Sequence, residues 1–482
     1  MTDTLAPAAP ALHPPFGGTP LAELRRRIRG RVAVPIDPDW DAQRAAWALA
    51  VDQRPAIIVR AADADDVGTA VRFAVAHRLR VAAQGTGHNA APLGDLRGTM
   101  LLRTDLMRAV EIDPVRMRAR VQAGAVWQEV TDAAGAHGLA ALAGSSPDVG
   151  VVGYTLGGGV SWLARSHGLA STSVTAVDLV TADGQLRHVD ERTDPELLWA
   201  LRGGGGAFGV VTAMEFRLYP LVTVHAGAMF WPVDRAADVM HAWRDWTVDL
   251  PASVMSSARV LRFPPFDEIP EPLRGGSFVI VEAVLQDPPA VADALLSELR
   301  RLGPAMDTFA PTPLPALGAL HMDPPGPVAA IGDGTLVRDL DDAAIDAFLR
   351  VVATPRGAAL MSAEFRVLGG ALAVGSDEAS AATGLDGRYL MFGVGATPTR
   401  EAASAVRVAL DALLGEIDPW RSAADTPNFT ESPTAAQRLF GDALGRLRAV
   451  KHRVDPHDVI RSNHELGRGP GREPRTQQEA RS

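Results

Sequence analysis

Cysteine is absent from all 482 residues. That absence removes disulfides, thiolate metal sites, iron–sulfur clusters and a cysteine nucleophile from consideration. Tyrosine is scarce, with only Tyr154, Tyr219 and Tyr389 in the chain, so chemistry that needs a phenolate base has few places to put one. No run reaches the roughly 18 uncharged apolar residues of a membrane span, and no membrane partner is expected. A basic stripe is missing too: the net charge is −10 and the arginines are dispersed, which speaks against nucleic acid. The opening MTDTLAPAAPALHPPFGG has no early basic cluster and its apolar residues are broken by prolines. It lacks the order of parts of a secretory signal, and a cytoplasmic location is the expectation.

The length exceeds what one core supports and predicts two domains. Residues 1–30 read as a surface arm ending in the short basic helix LAELRRRIRG. From Arg54 a regular α+β pattern begins. PAIIVR is a short apolar run, Asp63 and Asp65 suit a helix start, and Val67, Val71, Ala74, Val75 and Leu79 recur at helical spacing. Strand-like MLLRTDLM, VEID and RMRARVQAG precede a helical AVWQEVTDAAGAHG, and VTAVDLVTADGQLRHV predicts a hairpin turning at Asp183-Gly184. After Pro220 the texture changes. VHAGAMFW, SFVIVEAVL, MSAEFRV and RYLMFGVG read as strands alternating with four amphipathic helices, and the prolines at 311–326 read as a long surface loop. From about Pro433 a helix leads to an arginine-rich end, with the tail after Gly467 expected to be disordered.

Glycine is plentiful, and much of it gathers in three clusters. Gly85-Thr86-Gly87-His88-Asn89-Ala90 imitates a dinucleotide fingerprint after a strand, yet Ala91-Pro92-Leu93-Gly94 follows where that fingerprint requires a helix. Any phosphate there must be held by a nest of backbone N–H groups. The second cluster, SSPDVGVVGYTLGGGVSWLARSHGLAS at 145–171, contains Gly157, Gly158 and Gly159; the third runs from Arg202 through Gly203–Gly206 to Gly209. Each alone could serve a tight turn. Together they imply close backbone approach to a bulky ligand.

With these segments the chain resembles the FAD-linked oxidoreductases that carry a vanillyl-alcohol-oxidase or PCMH type of flavin domain, in their berberine-bridge-enzyme-like branch, which includes bacterial 6-hydroxynicotine oxidases. The likeness rests on QGTGHN at 84–89, DVGVVGYTLGGGVSWLARSHGL at 148–169, LRGGGGAFGVVT at 201–212 and LRAVKHRVDPHDVIRSNH at 447–464. It implies a two-domain α+β fold: a FAD-binding part over 1–220 with its core at 50–220, an antiparallel-sheet substrate domain inserted at 221–429, and a segment at 430–482 returning to the FAD part. It implies that FAD is bonded once, through His88, because the second attachment of some relatives needs a cysteine. By the same resemblance Gly85, Thr86, Gly87, Asn89, Ser146, Asp148, Val149, Val152, Gly153, Tyr154, Gly157, Gly158, Gly159, Gly209, Val210, Val211 and Asn463 are flavin-binding candidates. Val149 would stand near the position that controls dioxygen access, and Tyr154 against the flavin or as a packing residue with a bonded hydroxyl.

The catalytic group is less legible. Relatives place tyrosines near an N-Y motif; here Thr426-Pro427-Asn428-Phe429-Thr430-Glu431 stands there, and Phe429 cannot accept a proton. Glu364 and Arg366 in MSAEFRV share one strand face and are candidates, against the plainer reading of a solvated ion pair. Asn428 is a candidate for orienting substrate or flavin, or a simple turn former. His452 and His457 lack metal-ligand spacing, and no metal is expected. The implied activity is oxidation of a small alcohol, amine or secondary-metabolite intermediate with dioxygen reduced to hydrogen peroxide. The alternatives are a dehydrogenase with another acceptor or a non-redox cyclase or lyase. Nothing in the sequence fixes the oligomeric state.

Overall fold

The computed structural model describes residues 18–467 except 374, 376–378 and 383. The first residues of the arm and the tail expected to be disordered lie outside the described residues. What is described of the arm is docked rather than free. The helix Gly18–Arg27 buries Leu24, and the backbone N–H groups of Arg29 and Gly30 donate to the carboxylate of Asp66 at 2.8 and 2.9 Å.

Among the described residues three large sheets organise the chain, beside a two-stranded pairing of Leu139–Ala140 with Tyr219–Pro220. The first orders its strands Arg31–Ala33, Ile57–Arg60, Thr99–Arg103, Arg80–Gln84 and Ile460–Arg461, parallel apart from the first pair. The helix Ala64–Ala76 covers it, started by Asp63, whose side chain accepts from the N–H of Asp66. The second sheet is antiparallel, ordered Val110–Asp113, Arg118–Gln122, Val210–Arg217, Val174–Val180 and Leu186–Asp190, and contains the expected hairpin. Both share one apolar core.

The third sheet has eight strands, all antiparallel, drawn from residues 223–396. The strands Val254–Arg262 and Ala330–Val337 belong to it although they were not among the runs that read as strands. One face packs under the helices Ala236–Val248, Pro289–Arg300, Asp342–Val352 and Arg400–Ile417, with Phe348, Phe365, Met391 and Trp243 in a second core. The opposite face is buried as well: every residue of Ser362–Val367 is buried. The half-exposed alternation expected of an antiparallel sheet is therefore lost. The proline-rich segment 311–326 is not a surface loop. Ala310–Pro313 pairs with Thr223–Pro232, Leu314 and Leu317 enter the first core, and His321 is buried. No helix among the described residues is long and apolar enough to cross a membrane.

The C-terminal segment is latched to the third glycine cluster by one cation. The Lys451 ammonium donates to Ala207 O at 2.9 Å, Ile460 O at 2.7 Å and Asp455 Oδ2 at 2.6 Å. Asp455, fully buried, also accepts the N–H groups of Val459 and Ile460. Removing the cation leaves a buried carboxylate without its charge partner. Lys451→Met is accordingly expected to lower unfolding free energy by roughly 3 kcal/mol in denaturant titrations; a change under roughly 1 kcal/mol would mean that the latch is not structural.

Candidate functional site

The strand Arg80–Gln84 ends in the loop Gly85–Asn89. Gly87 has φ +85°, and a Cβ there would lie 2.8 Å from the Gln84 amide nitrogen and 2.9 Å from Ala46 Cβ. Only glycine fits that bend. No long helix follows; Ala91–Leu93 is a single tight turn holding Pro92, which agrees with the loop's departure from a dinucleotide fingerprint. The bend presents His88, whose ring stacks on Trp47 with centroids 3.9 Å apart. Nδ1 of His88 is 3.0 Å from Thr86 Oγ1. Nε2 is 3.2 Å from Asp148 Oδ1, although off the line of a hydrogen bond, so it keeps no partner. Asp148 itself accepts from Trp47 Nε1 at 2.6 Å and from Ser146 Oγ at 3.2 Å. Burial disfavours its charge, but His88, Trp47 and Ser146 outweigh burial and hold the carboxyl below its ordinary range. Trp47 was not among the sequence candidates; lone tryptophans outside any motif give no signal.

The second glycine cluster forms the short helix Val151–Leu156 and the turn Gly157–Gly159. Tyr154 points inward. Its hydroxyl donates to Leu142 O at 3.2 Å, its ring meets Trp127 edge-on, and its flank is so close that a Cβ on Gly159 would stand 2.5 Å from it. The packing reading of Tyr154 is the one its geometry supports. Asn428 spends both ends of its amide on this cluster, accepting from the Gly159 N–H at 2.9 Å and donating to Tyr154 O at 3.1 Å. It thereby braces the glycine turn across 269 residues of sequence, with one N–H and one lone pair of the amide left over.

These segments converge on one cavity of about 420 Å³. Gly85, Thr86, Gly87, His88, Asn89, Ser146, Val149, Val152, Gly153, Tyr154, Gly157, Gly209, Val211, Arg366, Asn428 and Asn463 all line it. Asp148, Gly158, Gly159, Val210 and Glu364 are not in its wall; Val210 lies in the core and Asp148 supports His88 from behind. The wall fits a large polar cofactor. Buried atoms on or in it have no protein partner: both amide atoms of Gln84, Asn89 Oδ1 and His88 Nε2. Gly153 has open space where a Cβ would be, and Gly205 and Gly206 meet nothing nearer than 3.9 Å. Unpaired buried polar groups are costly and uncommon unless a ligand completes them. Among the described residues no cluster of His, Asp and Glu could hold a metal ion.

The antiparallel sheet supplies the facing wall, and its register explains the charges there. Arg366 pairs with Ser257, Glu364 with Arg259, and Ser257 with Glu282. All of these side chains therefore share one face. They are buried, so the solvated ion pair considered for Glu364 and Arg366 is overturned. Arg366 Nε donates to Glu364 Oε1 at 2.6 Å, Arg259 Nη2 donates to Glu282 Oε1 at 2.5 Å, and His321 Nδ1 lies 2.6 Å from Glu282 Oε2. His321 Nε2 sits between Glu364 Oε2 at 3.3 Å and Arg366 Nη2 at 3.2 Å. Burial and Arg259 oppose a proton on His321, yet Glu282, Glu364 and Asp323 prevail and raise its pKa to about 9. With that proton in place, the carboxylate rather than the guanidinium is its partner. Arg366, Arg259 and His321 then balance Glu282, Glu364 and Asp323, the condition under which a buried charge cluster is tolerable. Glu364 is held well below the usual carboxylate range, burial notwithstanding, chiefly by Arg366 and His321. Arg366 reaches the cavity between the rings of Trp162 and Phe429, 5.8 and 5.3 Å from their centroids. His321 and Glu282 escaped the sequence reading because the proline-rich segment and the strand around SFVIVEAVL carry no periodic signal for a charge.

Comparison with known proteins accords with this geometry. The FAD binding domain family matches residues 55–190. Over 205 residues the chain is 38% identical to (R)-6-hydroxynicotine oxidase of Paenarthrobacter nicotinovorans, a stretch of 42% of this chain and 45% of that protein. The chain thus spans about half the length of the curated relatives it matches. The crystal structure of 6-hydroxy-D-nicotine oxidase from Arthrobacter nicotinovorans is alike over 91% of this chain and 98% of that one, with TM-score 0.79 and 26% identity. The berberine-bridge-enzyme-like protein 1 of Physcomitrella patens shares the fold, with TM-score 0.80 at 19% identity over 93% of this chain and 99% of its own.

The charge cluster gives stability a pH dependence. An unfolded histidine titrates near 6.5, while folded His321 does so at about 9. Its stabilising contribution is complete below 6.5 and is lost as pH rises through about 9. Unfolding free energy is expected to drop by on the order of 3 kcal/mol across that window, and His321→Gln, though less stable at pH 6.5, should remove most of the drop. A slope unchanged in the variant would show that His321 is neutral in the folded chain.

Proposed function

The chain is a FAD-linked flavoprotein of the berberine-bridge-enzyme-like kind, and on that premise we propose that it is an oxidase of a small organic alcohol or amine. FAD bound in the cavity supplies the acceptor for a hydride from the substrate carbon, and dioxygen is the final acceptor, leaving as hydrogen peroxide. One observation carries the reading: three glycine segments distant in sequence line a single cavity in which Gln84, Asn89 and His88 present unpartnered buried polar atoms.

The chain's own residues divide the work. The loops at 85–89, 149–159 and 205–209 leave backbone room for the cofactor, and Asn428 keeps the middle loop in place. His88, fixed by the stack on Trp47 and the Thr86 hydroxyl at Nδ1, is the residue we assign to a single covalent bond with FAD. Residues 1–220 and 430–482 make the flavin unit in this proposal, and residues 221–429 the substrate unit. Met361, Phe392, Val394 and Phe429 form apolar walls beside Arg366. Such walls favour a ring-bearing or alkyl substrate over a polyhydroxylated sugar, in keeping with the relative named as a hydroxynicotine oxidase.

Acid precipitation tests the attachment. Wild-type protein should carry yellow flavin into the pellet, whereas His88→Ala should release it to the supernatant while still binding it before denaturation. A colourless wild-type pellet refutes the bond. Anaerobic addition of (R)-6-hydroxynicotine, benzyl alcohol, benzylamine or D-glucose then tests the reaction. The substrate type should bleach the flavin band at roughly 450 nm, and admitted air should restore it rapidly with release of peroxide. Slow restoration in air would replace the oxidase by a dehydrogenase.

A further inference from the structure

The chain lacks a phenol where the cavity would use one. Tyr154 is pinned to Leu142 O and driven upward in pKa by burial. The Tyr389 hydroxyl bonds Thr247 on the helix-covered side of the sheet, and Tyr219 is not in the cavity wall. Glu364 is already committed to Arg366, and His321 already holds a proton. Among the carboxyls in the wall, Glu431 has the arrangement of a proton acceptor. It lies two residues beyond Phe429, beside Phe392 and Gly332. Its Oε2 accepts the Gly332 N–H at 3.0 Å and its own N–H donates to Asp333 Oδ1 at 3.0 Å, which fixes the carboxyl from two sides. Its Oε1 has no hydrogen-bond partner among the described residues. Gly332 makes the room, since a Cβ there would stand 2.5 Å from the Phe392 ring and 3.1 Å from Glu431 Oε1.

We propose that Glu431 is the catalytic base that takes the proton of the substrate's hydroxyl or amine group. The inference rests on the oxidoreductase reading above. As the substrate C–H bond breaks and its electron pair leaves as hydride to oxidised flavin, the O–H or N–H bond also breaks. Its electrons form the C=O or C=N bond, and the proton goes to Glu431 Oε1. An acceptor of this kind works best when its pKa is close to the working pH. Burial raises that of Glu431, the Gly332 N–H opposes, and the Asp333 charge adds to burial, bringing it to about 7. The other charged or titratable groups in the cavity wall are His88, Tyr154, Asp323, Arg366, Arg461 and His464.

Glu431→Gln keeps the shape and removes the base. In the flavin-loaded protein, anaerobic bleaching by whichever of (R)-6-hydroxynicotine, benzyl alcohol, benzylamine or D-glucose reduces wild type should slow by about 100-fold or more. The rise of the bleaching rate with pH near neutrality should vanish, while the dissociation constant of that probe changes little. Glu431→Asp should recover the pH profile. Independently of turnover, a side-chain carboxyl resonance of 13C-glutamate-labelled protein, missing in Glu431→Gln, should titrate near neutrality. Equal bleaching rates and profiles in wild type and Glu431→Gln overturn the proposal, as does a Glu431 carboxyl ionised throughout pH 5 to 9 (roughly the range where the chain is testable). If none of the probes bleaches the wild-type flavin, the oxidoreductase reading fails first and takes this inference with it.

Discussion

A sheet covered on both faces has nowhere to put a charge except against another charge. The eight-stranded sheet meets helices on one side and the glycine-rich part of the chain on the other, and the side turned to the cavity carries Arg259, Glu282, Glu364 and Arg366. These side chains are tolerable only because they alternate in sign and because His321 is brought in by the proline-rich segment to complete the set. Breaking one member would strand its neighbour in a medium that solvates it poorly. The apolar helices, the strand register and the cavity wall all depend on that balance.

The opposite wall is governed by the backbone. Glycines such as Gly87, Gly153 and Gly157 bring main chain to the surface of the cavity without side chains in the way. Exposed main chain would be loose if nothing held it. Asn428, from the far end of the chain, satisfies one N–H and one C=O of the middle turn, and Lys451 caps a carbonyl of the third cluster. A polar, backbone-lined wall thus faces a largely apolar, side-chain-lined wall that carries Arg366, which suits a cofactor bound on one side and a substrate presented from the other.

Much of this was legible in the residues. Strands with a run of β-branched positions, such as Ile57–Arg60 and Ser277–Leu285, and helices with an acidic cap, such as Ala64–Ala76, follow from patterns that the tertiary structure only confirms. Val254–Arg262 and Ala330–Val337 were not legible, because a strand sealed on both faces by small polar residues and glycines loses the alternation that marks a strand. The proline-rich stretch was misread for a related reason. Prolines signal an interruption of regular structure, but they do not say whether the interrupted chain runs over the surface or, as with Leu314, Leu317 and His321, into the interior.

By itself the sequence determined that backbone must approach a bulky ligand closely, since glycine clustering is a local property of the chain, and its resemblance to the FAD-linked oxidoreductases implied which ligand. It also determined the absence of any thiol chemistry. What only the tertiary structure decided was which side chains meet across hundreds of residues: Trp47 on His88, Asn428 on Gly159, Glu431 beside Gly332, and His321 between Glu282 and Glu364. Those meetings arise from strand register and domain packing, and protonation follows from burial and neighbouring charge. None of these is a property of any one stretch of chain, so no reading along the chain could have supplied them.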